Sequence, residues 1–251
     1  MLPTSSSAIM PSAAARAELT ARGKLRVAFP VASALYVVKD TATASLRGVS
    51  IEIGTELARR LGVPFEARPY ATVGELIRAT GTDEWDLATV VAEHDRATVL
   101  DFSTPYLEAD STYLVPANSP VRTVPDADVA GFRIGVAERS AFDLFLARTL
   151  RHASLVRYPG VAAAVEGYKA KENDAIAAPR PVLAAALSKI PSARILDDRF
   201  DVARAVIAMH KGRSRAALGF VNAFVAEVMA NGWLSAAIAR SGITGIRIAR
   251  P

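Results

Sequence analysis

The sequence contains no cysteine and only three histidines, His94, His152 and His210, which stand far apart. The first absence excludes a disulfide framework, thiol catalysis and cysteine-held zinc or iron–sulfur centres. The scattered histidines form no paired metal motif. Aromatic residues make up only 7% of the chain. No stretch reaches the roughly 18 uninterrupted apolar residues that a membrane span requires. The first 22 residues also lack the basic start and apolar run of a secretory leader, because Ser5, Ser6, Ser7, Pro11 and Ser12 interrupt them. No export signal is visible, and the compartment stays open.

What is present is the balance of a soluble globular protein: 251 residues, 51% hydrophobic and 22% charged. That length holds one large domain or two small ones. The net charge of +5 raises the question of nucleic acid. Six of the thirty basic residues are lysines and the rest are arginines, dispersed among acids rather than gathered into a stripe or arm. This pattern argues against nucleic-acid binding. Arginine matters in another way, since its fork grips carboxylates in two-point contacts.

Short apolar runs alternate with helical stretches. Strands are expected at Leu25–Phe29, Phe65–Tyr70, Leu87–Val91 and Ser111–Val115, then at Phe132–Val136, Leu155–Tyr158, Ala175–Ala178 and Val202–Met209. Helices are expected at Ile51–Leu61, from Thr72, at Ser140–Leu150, Val161–Lys171, from Pro181, at Ser214–Ala230 and at Trp233–Arg240. Thr72 and Glu75 have capping-box spacing, and Gly62 and Gly242 stand where helices stop. The alternation predicts an α/β fold with mostly parallel sheets, and its two series predict two lobes.

Seven segments in order resemble the extracellular solute-binding proteins, family 3. They begin with the helix Gly48–Val63 and include Trp85-Asp86-Leu87 and Arg96–Tyr106, with its Asp-Phe-Ser-Thr-Pro-Tyr ending. Phe132–Val136, Asn173–Ala177, Val206–Gly212 and the stretch from Asn222 to Leu234 complete the set. The resemblance implies a type II periplasmic-binding-protein clamshell, with mixed, mostly parallel sheets joined by two hinge crossovers. Those crossovers are expected near Val115–Pro120 and Arg204–Ala208. Lobe 1 would comprise residues 25–115 and 208–251, and lobe 2 residues 116–207, after an N-terminal extension of residues 1–24. A small ligand, no cofactor, a monomer and an ABC permease as possible partner follow from the same resemblance.

The resemblance also implies site residues. Arg96 matches the arginine that grips a ligand carboxylate; its plain alternative is a surface pair with Asp95. Arg139-Ser140 takes the place of a Gly-Thr at a helix start, where free N–H groups attract an anion, although Ser140 could simply cap the helix. Phe29 and Tyr36 stand where an aromatic stacks on the ligand, with core packing as the alternative for Phe29. Pro179 replaces the aspartate that holds an ammonium group, and Arg180 follows it, which favours an anionic organic acid, or an amino acid held in an unusual way, over an ordinary amino acid. Glu93, in a loop two residues shorter than in the family, could supply the missing carboxylate. Binding is the expected activity. A cyclohexadienyl dehydratase-like enzyme using Glu93 or Glu138 as general acid, or a cytosolic sensor, is the alternative.

Overall fold

A computed structural model describes residues 9–33, 36–39 and 45–250. The chain opens with helix α1 (Ala13–Leu19), strand β1 (Leu25–Pro30), the short antiparallel pair β2 (Val38–Lys39) and β3 (Leu46–Arg47), and helix α2 (Val49–Leu61). Strand β4 (Phe65–Tyr70), helix α3 (Val73–Arg78) and strand β5 (Leu87–Val91) follow, then a 3-10 turn at Asp95–Thr98, β6 (Leu100–Phe102) and β7 (Leu107–Pro116). The middle of the chain forms β8 (Arg133–Ala137), α4 (Ala141–Thr149), β9 (Ser154–Tyr158), α5 (Val161–Lys169), β10 (Ala175–Pro179), α6 (Arg180–Leu187) and β11 (Ala193–Ile195). Strand β12 (Asp201–His210), helices α7 (Arg215–Ala230) and α8 (Trp233–Ser241), and β13 (Arg247–Ile248) complete it.

Local chemistry explains the boundaries. Thr72 accepts a hydrogen bond from the Glu75 N–H, Ser140 from Asp143 and Ser214 from Ala217, each satisfying a first-turn donor that the helix cannot. Gly62 ends α2 in the left-handed region at φ 70°, where a side chain would be strained.

The strands join in one sheet of order β4-β1-β5-β12-β7-β10-β8-β9. Its two wings are parallel: β4, β1 and β5 on one side, β10, β8 and β9 on the other. Between them β7 and β12 run antiparallel to each other and to their neighbours. Each is ten residues long and passes from one wing to the other. One apolar core gathers α1, β1, α2, α7 and Leu234 of α8; a second gathers α4, α5, α6 and the β8–β10 wing. A smaller cluster around Trp85 and Leu76 packs on the other face of the first wing.

Two expectations need correction. Val115 already lies in the second core, as do Tyr113 and Leu114, whereas Leu107 and Ala109 lie in the first. Likewise Ala205 and Ile207 belong to the first core and pair with β5. The chain therefore crosses at about residues 110–112 and 201–204, ahead of Val115–Pro120 and Arg204–Ala208. The first crossing falls inside an unbroken strand, where no loop residue marks the change of core, and the second at the start of β12. The N-terminal stretch is also more than an extension, because Ala15 and Leu19 of α1 are fully buried in the first core.

No single helix among the described residues is long and apolar enough to cross a membrane. The apolar pair α7 and α8 bends by 77° and spends Phe220, Val221, Phe224, Val225 and Val228 on the first core.

Arg60 ties that C-terminal helix to the N-terminal half. Its guanidinium, 5% exposed, donates to both Glu227 carboxylate oxygens at 2.9 Å, donates to Glu56 and stacks 4.8 Å from the Phe224 ring centre. The hydrogen bonds from Arg60 hold the Glu227 carboxyl below the ordinary glutamate range, against the opposing effect of burial. A depressed carboxylate pKa stabilises the fold above the unfolded value and loses that contribution as pH falls through the folded one. Glu227→Gln should therefore cost about 3 kcal/mol at neutral pH, since it strands a buried guanidinium. In pH-dependent urea titrations its deficit should shrink as pH drops below the ordinary glutamate value; a pH-independent deficit would refute the ionic role.

Candidate functional site

The two crossing strands form the floor of a cleft between the cores. Side chains alternate along a strand, and paired residues of neighbouring strands share a face. Ser111 of β7 is opposite Asp201 of β12 on one side and Pro179 of β10 on the other, and Ala203 is opposite Ala109. Ser111, Asp201, Pro179 and Ala203 all line the cleft. The intervening residues turn to the back of the hinge. There Arg247 donates to Glu108 and Asp110 at 3.1 and 3.0 Å, and Arg204 and Arg199 reach the same two carboxylates.

The cavity above this floor encloses about 750 Å³, its open mouth included. The first lobe contributes Pro30, Ala32, Tyr36, Val73, Val91 and Arg96 to its walls; the second contributes Ala137, Glu138, Phe142, Gly160, Val161 and Val182. Helices α3, α4, α5 and α6 all begin at this cavity, with Val73, Ala141, Val161 and Pro179 on its surface. First-turn N–H groups have no acceptor inside a helix, so these starts give the walls a positive bias.

Arg96 is the central cation. It is 4% exposed and donates to the Val91 carbonyl at 2.8 Å and to the Arg139 carbonyl of the opposite lobe at 3.0 Å. Burial lowers its pKa, with Tyr36 and Glu93 opposing that effect, yet a guanidinium stays charged in any case. Tyr36 lies beside it, 3% exposed, and its hydroxyl is buried without a hydrogen-bond partner. Burial raises the Tyr36 phenol well above its ordinary pKa. The site therefore combines a charged fork, a neutral hydroxyl and helix N-termini.

The opposing charge is Asp201. Its carboxylate makes no ion pair among the described residues, and burial raises its pKa, with the Val202 N–H, Arg204 and Arg148 acting in the other direction. The sequence reading passed over this residue, because the strand was expected to begin at Val202.

The other expected residues divide. Arg96, Ser140 and Tyr36 come together at the cavity. Phe29 does not: it is fully buried in the first core, in line with its packing alternative. Arg180 points away, donating to the Asp197 and Asp198 carbonyls. Arg139 has φ 59° and projects to the far side of the Arg96 bridge, beside Gly74 of the first lobe. Glu93 is not on the cavity wall. Its carboxylate accepts from the Asp95 N–H at 2.8 Å and from Arg148 of the opposite lobe at 2.8 Å. Glu138 does line the cavity, but its side chain is exposed. Among the described residues no cluster of three histidine, aspartate or glutamate residues could hold a metal ion.

The sequence matches bacterial extracellular solute-binding proteins, family 3, over residues 25–241. The chain belongs to this family. It is thus a member of a family of extracellular solute-binding proteins. Solved structures share the fold of this family member. A mutant of ArgBP from T. maritima has a TM-score of 0.79 at 23% identity, covering 91% of this chain and 99% of that one. The ancestral amino acid-binding protein AncCDT-1, a precursor of cyclohexadienyl dehydratase, gives 0.77 at 24%, covering 90% and 98%. AbpA of Streptococcus pneumoniae, an amino acid ABC transporter substrate-binding protein bound to L-arginine, gives 0.78 at 24%, covering 89% and 96%. No curated protein matches the chain.

Among the described residues, the polar contacts that span the cleft of this solute-binding protein include Arg96 to the Arg139 carbonyl, and Arg148 to Glu93 and, at 3.9 Å, to Asp95. Glu93 is 7% exposed while Arg148 is about half exposed, so water screens part of the second contact. Arg148→Ala should weaken the closed arrangement by about 1–2 kcal/mol, discounted for that exposure. Solution scattering of the ligand-free variant should show a larger radius of gyration than the parent; identical curves would remove the bridge from the closure balance.

Proposed function

We propose that the protein captures a small α-amino-acid-like ligand for an ABC permease, with the ligand carboxylate on Arg96 and its ammonium group on Asp201. The observation that carries this reading is that the buried Arg96 guanidinium and the Asp201 carboxylate, which makes no ion pair among the described residues, line one cavity. A bidentate guanidinium suits a carboxylate, and the Tyr36 hydroxyl and the start of α4 add donors beside it. Asp201 takes over the electrostatic work lost where Pro179 stands in place of an aspartate. Both residues flank Ser111 on the same face, so the charge has moved across β7 rather than out of the cleft.

Of the two ligand classes the sequence leaves open, this reading takes the amino acid held in an unusual way over the anionic organic acid. The case for the organic acid rested on Pro179 and on Arg180, whose guanidinium is engaged with backbone carbonyls outside the cavity. The apolar walls from Val73, Val91, Phe142, Val161 and Val182 suit the remainder of the ligand, and exposed Glu138 suits a donor at its far end. The lobes, divided near residues 110 and 204, close about the hinge strands when the ligand joins them. The L-arginine bound by AbpA is one member of the ligand class to be screened.

Calorimetry across amino acids, their deaminated analogues and dicarboxylates tests the assignment. Arg96→Ala should cost about 2–5 kcal/mol of binding for every carboxylate ligand. Asp201→Asn should weaken the amino acid but spare the deaminated analogue. Equal losses for both, or tighter binding of dicarboxylates by the parent protein, would contradict the role of Asp201. The pH dependence has a definite sign. A neutral acid cannot pair with ammonium, so amino-acid affinity should fall as pH drops through the raised pKa of Asp201, and Asp201→Asn should flatten that fall.

A further inference from the structure

On the far side of the Arg96 bridge lies a second opening between the lobes, lined by Gly74, Arg78, Thr80, Asp95, Arg96 and Arg139 among others. The ligand reading leaves Arg78 and Arg139 unused. They reach the opening from opposite lobes, Arg78 from the end of α3 and Arg139 from the turn before α4. Both converge on Gly74: the position of a Cβ there would be 3.6 Å from an Arg78 terminal nitrogen and 3.9 Å from Arg139 Cδ. Neither side chain makes a hydrogen bond or ion pair among the described residues. Two unpaired like charges lining one opening repel each other, and Arg96 adds a third guanidinium to the same walls. Asp95 is the carboxylate in this lining, and one of its oxygens faces Arg148 at 3.9 Å. The Thr80 hydroxyl, in the same lining, is buried with no partner.

We infer that this opening is a second binding site, for a small oxyanion such as phosphate or a carboxylate, held between Arg78 and Arg139. Guanidinium forks fit the paired oxygens of such anions, and an anion between them converts repulsion into attraction. Because the two arginines belong to different lobes, the anion binds the closed arrangement better than the open one. By linkage it then raises affinity for the solute in the main cavity, and the solute raises affinity for the anion. The inference does not depend on what the main cavity binds.

Thermal unfolding in inorganic phosphate, with chloride controls at equal ionic strength and no solute, provides the test. The variants are Arg78→Gln and Arg139→Gly. The second keeps the backbone carbonyl that Arg96 uses and places glycine at a positive φ, so it is expected to fold. The parent should show a saturable rise of about 2–4 °C for each kcal/mol of anion binding. In each variant less than half of that rise should remain, and without phosphate neither should unfold at a lower temperature than the parent by more than about 2 °C. General salting effects of phosphate are not saturable and would persist in both variants. Acetate in place of phosphate separates a carboxylate site from a phosphate site, and a saturable rise with either, lost in the variants, supports the inference. No saturable rise in the parent with either anion, or a rise kept above half in either variant, overturns it.

Discussion

The antiparallel pairing of two ten-residue strands, β7 and β12, is the constraint on which the molecule depends. Strand β7 begins in the first apolar core and ends in the second, and β12 enters the first core directly after Phe200, which packs on the second, so the same ladder both joins the lobes and forms the floor of the cleft. The twofold alternation of a strand then sorts side chains without further design. Ser111, Asp201 and Ala203 face the cavity, while Glu108, Asp110 and Arg204 form an ionic cluster behind it. A shift of one residue in this register would put Asp201 on the back and an arginine on the floor.

Around that floor the electrostatics are balanced by fixed charges and dipoles. The starts of four helices and the Arg96 fork favour negative charge, and Asp201 supplies the opposite sign. Apolar walls keep the dielectric low, so each of these groups acts at short range with little screening. The cost of holding Arg96 buried is offset by two backbone carbonyls, one from each lobe. The same side chain thereby couples closure of the cleft to the chemistry inside it.

Much of the fold was legible from the sequence. The alternation of apolar runs and helical stretches placed β1, β4, β5, β8–β10 and β12 within a residue or two, because Thr72, Ser140, Ser214, Gly62 and Gly242 mark helix ends by local chemistry. The crossovers were less legible, since β7 changes cores in mid-strand and no turn residue records it. Arg96, Tyr36 and Ser140, singled out from motif order, line the cavity. Arg180 and Glu93 were misplaced because neighbouring carbonyls and a cross-lobe arginine, both distant in sequence, capture them. Asp201 was missed because the strand-to-strand transfer of a carboxylate from the Pro179 position is a fact of register, which only three-dimensional pairing reveals.

The central claim is that one ligand is held by opposite charges, its carboxylate by Arg96 and its ammonium by Asp201. A crystal structure with the tightest ligand from the calorimetric screen tests it most directly. The account predicts ligand carboxylate oxygens within about 3 Å of the Arg96 guanidinium and the amino nitrogen within about 3 Å of the Asp201 carboxylate. A ligand seated in the main cavity with Asp201 facing no cationic group would contradict it.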